Sequence, residues 1–284
     1  VGFAKLKHEV SFIDLDTNKI KLLNEKKLPF FEPDLDKHFE NSENFERMNF
    51  LTNYEDVEWD MVDIVFICVQ TPNNVSTNSV DTKFLESAIS EIASLNRDDI
   101  VITVKSTIPP YEIENVCKKI GFNKEKLTFN PEFLREGEAI RDFRYPDRIV
   151  IGSNEKYPGS VMRSLYQPLI SKGAKFYLTN RRGAELIKYA ANAFLATKIS
   201  FINEIANLCE KVGVDVEDIS LGIGSDNRIG SRFLRAGPAY GGSCFPKDTK
   251  GLVSTGKKYK IDLSIVNTVI KSNNLRKKLL LERI

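Results

Sequence analysis

The 284-residue chain carries 41 Lys and Arg against 39 Asp and Glu, and this near-neutral balance excludes a general nucleic-acid or membrane-surface binder, because both need a large basic excess. Its length exceeds what one hydrophobic core usually supports, so two domains are expected. No run approaches the roughly 18 apolar residues of a membrane span, and the opening VGFAKLKHEV lacks the layout of a secretory signal, so a soluble cytoplasmic protein is expected.

Short β-branched runs at Val10–Ile13, 63–69, 100–104, Leu127–Phe129 and 148–151 each lead through polar or turn residues into helical periodicity. Near-continuous apolar runs such as DIVFICV and DIVITV fit strands covered on both faces, the mark of a parallel sheet with crossover helices. The stretch NNVSTNS at 73–79 reads as a surface loop. From Gly183 the character changes. Residues 184–212 contain neither Gly nor Pro, carry apolar residues at helical spacing, and end at Gly213, a C-cap candidate. A helix of about 30 residues spans about 45 Å, longer than one domain usually needs, and so links domains or builds a subunit interface. A short helical piece at 216–221, a Gly/Arg-rich loop at 222–243 and a further helix beyond Pro246 follow. The expected fold class is α/β, a Rossmann-like parallel-sheet domain at 1–180 followed by the long helix and an all-helical domain at 181–284.

The strand EVSFID ends in Asp14, placed as the acidic residue that takes the adenosine ribose hydroxyls in dinucleotide folds, although Asp closes many strands simply as a turn former. Thr71 and Thr107 follow two other strand ends, where ligands of open α/β sheets bind. Thr107 equally suits the cap of a helix begun by Pro109 and Pro110.

Chemistry concentrates in Gly241-Gly242-Ser243-Cys244-Phe245-Pro246-Lys247-Asp248. Paired glycines admit a ligand close to the backbone. Pro246 at a first helical position would put Cys244 beside a helix N-terminus, and this partial positive charge, with Lys247 nearby, favours the nucleophilic thiolate. Cys68 in a strand, and Cys117 and Cys209 in helical patterns, read as small apolar residues; the four cysteines lack zinc-type or disulfide spacing, so free thiols and no metal are expected. On the long helix Glu185, Lys188 and Asn192 share one face, set in an otherwise apolar stripe where buried polar groups need partners. Glu132 and Glu136 follow a strand and suit either acid/base work or a helix's first turn.

The stretches HEVSFIDLDTNKIKLLN, LPFFEPDLD, FICVQTP, KSTIPP, NPEFLREGEAIRDF, YPDRIVIG, AELIKYAANAFLATKISFINEIA and DNRIGSRFLRAGPAYGGSCFPKDTKGL, in this order, resemble the UDP-glucose/GDP-mannose dehydrogenase family, and YPDRIVIG and YGGSCFPKD look most like its UDP-glucose members. The resemblance implies NAD as cofactor, a UDP-sugar as substrate and a homodimer formed through the long helix. It implies Cys244 as nucleophile, with Lys188, Asn192 and Asp248 around it, Thr107 and Glu136 in the water and proton network, and Glu132 beside them. Asp14, Thr71, Thr107 and Glu136 fall to the cofactor. Glu132, Lys188, Asn192, Arg228, Phe233, Arg235, Tyr240 and Gly241 fall to the sugar nucleotide, with the two arginines supplying local charge for its diphosphate. It also implies a Gly-rich strand–loop before Val1 and a UDP-binding domain after Ile284, so this chain alone is expected to bind and turn over weakly. Rival readings are a GDP-mannose or UDP-N-acetylmannosamine dehydrogenase, a two-electron β-hydroxyacid dehydrogenase, which would not need GGSCFPKD, and an inactive binding or structural remnant.

Overall fold

The computed structural model describes residues 1–72 and 80–282, so the loop expected at 73–79 lies outside the described residues. The chain forms two compact units, one of residues 1–70, 83–106 and 114–184, the other of residues 71–82, 107–113 and 185–284.

The first unit holds seven strands: β1 (Val10–Ile13), β2 (Met48–Leu51), β3 (Ile64–Ile67), β4 (Val101–Val104), β5 (Leu127–Phe129), β6 (Arg148–Gly152) and β7 (Lys175–Thr179). β1 and β2 form a parallel pair, and the other five make a sheet in chain order. Pairings within that sheet are parallel except where β6 turns antiparallel against β5, at Phe129 opposite Gly152. The expected strands are present, with β2 and β7 added. VITV is buried at every residue, as a strand covered on both faces should be, and Thr103 and Thr128 satisfy each other inside it at 2.6 Å. Cys68 falls just beyond β3 and is exposed rather than packed mid-strand.

The helices of this unit are α1 (Gly2–Lys5), α2 (Thr17–Asn24), α3 (Leu35–Phe39), α4 (Ser42–Phe45), α5 (Lys83–Ser94), α6 (Glu112–Ile120, whose first two residues belong to the other unit), α7 (Ala139–Arg144), α8 (Lys156–Leu165) and α9 (Gln167–Ile170). α5 buries Leu85, Ala88, Ile89 and Ile92, one face of a helix at i, i+3, i+4 and i+7. Met162, Leu165 and Leu169 of α8 and α9 pack with Val101, Ile149 and Ile151 of the sheet.

The second unit is built on α10 (Arg181–Val212), a 32-residue helix whose first four residues belong to the first unit. It stops where Gly213 takes φ +74°, as its C-cap role requires. α11 (Val216–Gly224), α12 (Phe245–Lys258) and α13 (Ser264–Leu281) follow. α10 and α12 approach so closely that a Cβ on Gly251 would lie 2.8 Å from the Tyr189 ring. Tyr189, Ala193 and Leu252 form one small core, and Ala196, Tyr240 and Val269 another. No helix among the described residues is long and apolar enough to cross a membrane.

Candidate active site

In the first unit Asp14 stands at the carboxyl end of β1. Its oxygens accept from the Asp16 amide at 3.0 Å and from Lys19 Nζ at 2.5 Å. Partial burial works against its ionisation, but the Lys19 ammonium and the Asp16 amide outweigh it and hold the carboxyl below its usual range. An ionised carboxylate at a parallel strand's carboxyl end is the acceptor a ribose diol needs, so this end of the sheet fits a dinucleotide.

Glu132 and Glu136 sit on the segment between β5 and α7, and side chains pin that segment residue by residue. Asn130, buried, donates to Val150 O at 3.0 Å and accepts from the Tyr166 hydroxyl at 2.6 Å. The Glu132 carboxylate accepts from the Leu134 amide at 2.7 Å. Asp142 takes the Arg135 guanidinium in a two-pronged contact and also its backbone amide at 2.9 Å. Glu32 reaches in from the PFFEP stretch to accept from the amides of Gly137 at 3.1 Å and Ala139 at 2.8 Å. Glu136 itself is exposed at the centre of this frame.

The second unit gathers the remaining polar candidates. Glu185, Lys188 and Asn192 are all buried on one face of α10, at 0%, 3% and 7% exposure, so the polar stripe points inward and not to solvent. Asn192 Nδ2 donates to Asp248 Oδ2 at 2.6 Å, and Glu185 accepts from the Tyr111 amide at 3.2 Å. Burial pushes the Asp248 carboxyl up, partly offset by Lys247, Asn192 and Lys188. Burial, with the Asp248 and Glu185 carboxylates beside it, also raises Tyr189.

Cys244 is the N-cap of α12 and exposed, with Ser243 Oγ 3.5 Å from its sulfur. Pro246 comes second in the helix rather than first, after Phe245. Gly242 has φ +73°, which only glycine adopts without strain, and an added Cβ on Gly241 would meet open space. Lys247, expected as a cation near the thiol, also takes part in a polar contact set of its own. Its Nζ lies 3.3 Å from Thr107 O, 3.5 Å from Thr71 Oγ1 and 3.5 Å from Asp248 Oδ1. Thr71 in turn donates to Thr107 O at 2.9 Å. A continuous polar chain thus runs Asn192, Asp248, Lys247, Thr107, Thr71. Thr107 is not a helix cap, because α6 begins only at Glu112. Proline disfavours helical backbone in the residue before it, and the consecutive Pro109 and Pro110 delay the helix past both. Cys117 and Cys209 are buried, and burial lifts the Cys117 thiol to about 11, far from a reactive thiolate.

The loop at 225–244 joins α11 to α12. Phe233 holds φ +65°, a conformation a bulky side chain keeps only when its surroundings enforce it. Tyr240 is 4% exposed, while Arg228, Arg235 and Gly241 are exposed. The Arg228 guanidinium is held by Asp226 through bonds of 2.6 to 3.1 Å, so its charge is partly spent locally. The residues that hold this loop were not foreseen from the sequence. Asn203 accepts from the Gly237 amide at 2.8 Å, and Asn273 both accepts from Tyr240 N at 2.8 Å and donates to Tyr240 O at 3.1 Å. The one signal available was an Asn within apolar helical spacing, the same signal that drew attention to Asn192.

Residues 1–170 match the NAD binding domain model of the UDP-glucose/GDP-mannose dehydrogenase family, and residues 182–275 match its central domain model. The chain belongs to the UDP-glucose/GDP-mannose dehydrogenase family. Within the family it is 46% identical over 276 residues to a UDP-glucose 6-dehydrogenase of Rickettsia typhi, covering 95% of this chain and 62% of that protein. A UDP-glucose 6-dehydrogenase of Bacillus subtilis is 40% identical, covering 100% of this chain and 64% of the relative. Among solved structures, a UDP-glucose dehydrogenase from Pyrobaculum islandicum superposes with a TM-score of 0.87 at 34% identity, over 96% of this chain and 64% of that one. The chain therefore spans a little under two thirds of the length of these family members.

Proposed function

We propose that this chain serves the NAD-dependent, four-electron oxidation of UDP-glucose to UDP-glucuronate by way of a thioester on Cys244. The observation that carries the reading is the buried Asn192–Asp248 pair set one turn into α12 from an exposed cysteine at its N-cap. A structural cysteine has no need of an exposed helix end, and a structural carboxylate no need of burial that opposes its charge. The names of the relatives support UDP-glucose as the sugar nucleotide. Residues 1–180 serve the cofactor, and residues 181–284 supply the nucleophile and the assembly contact.

NAD, when bound, would accept the hydride of each oxidation; Asp14 would hold its ribose, and Thr71, Thr107 and Glu136 are assigned to the cofactor. The sugar's primary alcohol loses its proton to a basic side chain or to water held by one, and two electrons leave as hydride to give the aldehyde. The Cys244 thiolate adds to that carbon, and Lys188 and Asn192 meet the oxyanion by charge and hydrogen bond. A second hydride departs and leaves the thioester. Water, relayed by Asp248, Thr107 and Glu136, then cleaves the carbon–sulfur bond, giving the carboxylate and returning the thiol. Glu132, Phe233, Tyr240 and Gly241 shape the sugar-nucleotide pocket, and Arg228 and Arg235 bring positive charge to the diphosphate.

A second copy of the chain is its partner. Ile187, Phe194, Phe201 and Leu208 recur every seventh residue on α10 with exposures of 36%, 66%, 49% and 58%. A stripe of this period suits pairing with another helix. We assign the protein to the cytoplasm, where NAD is at hand and cysteines stay reduced.

The test measures NADH released per UDP-glucose consumed, by this chain and by a version extended to the length of the relatives. Two NADH per sugar from either supports the reading. Turnover only with GDP-mannose or UDP-N-acetylmannosamine replaces the substrate, one NADH per sugar removes the thioester, and no turnover or binding with any of them favours a remnant.

A further inference from the structure

The loop between α11 and α12 has little regular backbone pairing, yet three side chains meet the backbone of two of its residues. Asn273 of α13, 4% exposed, uses its amide as a strand would use a peptide group, accepting from Tyr240 N and donating to Tyr240 O. Asn203 of α10, 3% exposed, accepts from Gly237 N, and Arg276 of α13, 9% exposed, donates to Gly237 O at 3.1 Å and also bonds the Asn207 side chain. Both hydrogen-bonding groups of Tyr240 and both of Gly237 are thus taken by buried side chains of two helices. From α11, Ser220 fastens Leu234 O at 2.8 Å, and Lys198 of α10 holds Ile229 O and Gly230 O at 3.0 and 3.1 Å.

The clamp reaches further than the loop. The Tyr240 ring packs with Ala196 and Val269 and meets Phe245 edge-on at 6.2 Å, and Phe233 meets the same Phe245 ring at 6.2 Å. Phe245 is the first residue of α12, directly after Cys244. A buried amide that fixes Tyr240 therefore fixes the shape of the loop and the entry of the helix that presents the thiol. Such amides are costly to bury without partners and are nearly rigid with them.

We propose that Asn273, seconded by Asn203 and Arg276, is a positioning residue that preorganises loop 233–242 for the sugar nucleotide. The inference rests on the sugar-nucleotide reading of that loop given above. Asn273→Leu keeps the branching and heavy-atom count of the side chain and removes both bonds to Tyr240, which frees the loop to sample shapes that do not bind. Affinity falls by the fraction of time spent in them.

Binding of UDP-glucose and, separately, of NAD is followed by calorimetry on the extended protein, with amide hydrogen exchange read at Tyr240 and Gly237. Asn273→Leu is expected to weaken UDP-glucose about tenfold or more, to leave NAD within about twofold, and to speed exchange at Tyr240. Asn203→Leu frees Gly237 from the other helix and is expected to act in the same direction more weakly, which keeps the test open if Asn273→Leu folds poorly. Unchanged UDP-glucose affinity in a folded variant, or equal weakening of both ligands, overturns the proposal. Failure of the unmutated protein to bind UDP-glucose instead overturns the sugar-nucleotide reading, and it is seen before any variant is made.

Discussion

The polar frame around Glu136 in the first unit and the polar cluster on α10, α12 and α13 in the second are built differently. In the first, the charged groups around Glu136 are exposed or half-buried and are used on backbone amides and on one another, as in Glu32 with Gly137 and Ala139, or Asp142 with Arg135. In the second, Glu185, Lys188, Asn192, Asn203, Asp248 and Asn273 are all buried. A surface frame shapes a segment cheaply and is easily lost without loss of the fold. A buried polar cluster is stable only while complete, because each missing partner leaves a group stranded away from water.

That contrast can be broken by substitution. Cys244 is exposed, so Cys244→Ser should leave thermal stability within about 0.5 kcal/mol while cutting uronate formation by about 10³-fold or more. Uronate made at an undiminished rate by the serine variant would remove the thioester. Next in size, Asn192→Leu removes the hydrogen bond to the buried Asp248 carboxylate and should cost about 2–3 kcal/mol in denaturant unfolding; a cost under about 0.5 kcal/mol would mean that the buried cluster is not the integral unit described. Phe194→Glu with Phe201→Glu puts two charges into the exposed stripe of α10 and should shift sedimentation of the proposed dimer to that of a monomer, whereas sedimentation equal to the parent's would overturn α10 as a pairing face. Asp142→Asn, which removes the ionic hold on the half-buried Arg135, should cost no more than about 1–1.5 kcal/mol; a loss as large as that of Asn192→Leu would erase the difference between the two clusters.

The subtlest test is in pH. Because burial raises the Asp248 carboxyl, the native state binds a proton more tightly there than the unfolded chain does. Stability from this group is therefore fullest below the unfolded value of 3.8 and falls as pH climbs from there through the raised native value. Asp248→Asn removes that fall, so its melting temperature relative to the parent should rise with pH across this window. Parallel melting curves for the two proteins would show that Asp248 is solvated.

Much of the architecture was legible in the chain. The apolar runs that became β3, β4, β5 and β6 announce themselves because burial on both faces demands continuous hydrophobicity, and the long helix was readable to within three residues at its start. β2 was missed because MNFL is short and its buried and exposed residues alternate, and β7 because most of KFYLT faces solvent. The antiparallel turn of β6 leaves no mark in composition. At the candidate site, the residue types of GGSCFPKD pointed to Cys244, and helical spacing pointed to Lys188 and Asn192. The contacts of Lys247 with Thr71, Thr107 and Asp248 were not legible, because sequence adjacency to a cysteine says nothing about where a four-carbon side chain reaches. The Asn273–Tyr240 clamp joins positions 33 apart through tertiary packing, and no local pattern encodes such a pair.

The buried carboxylate also bears on descent. Aspartate and asparagine codons differ by one base, and at residue 248 the neutral side chain would fit the same space while relieving the cost of an ionised group under cover. A single base change is therefore enough to exchange the acid for a neutral side chain, so a chain shaped for sturdiness alone would have a short path away from the aspartate that stands at 248.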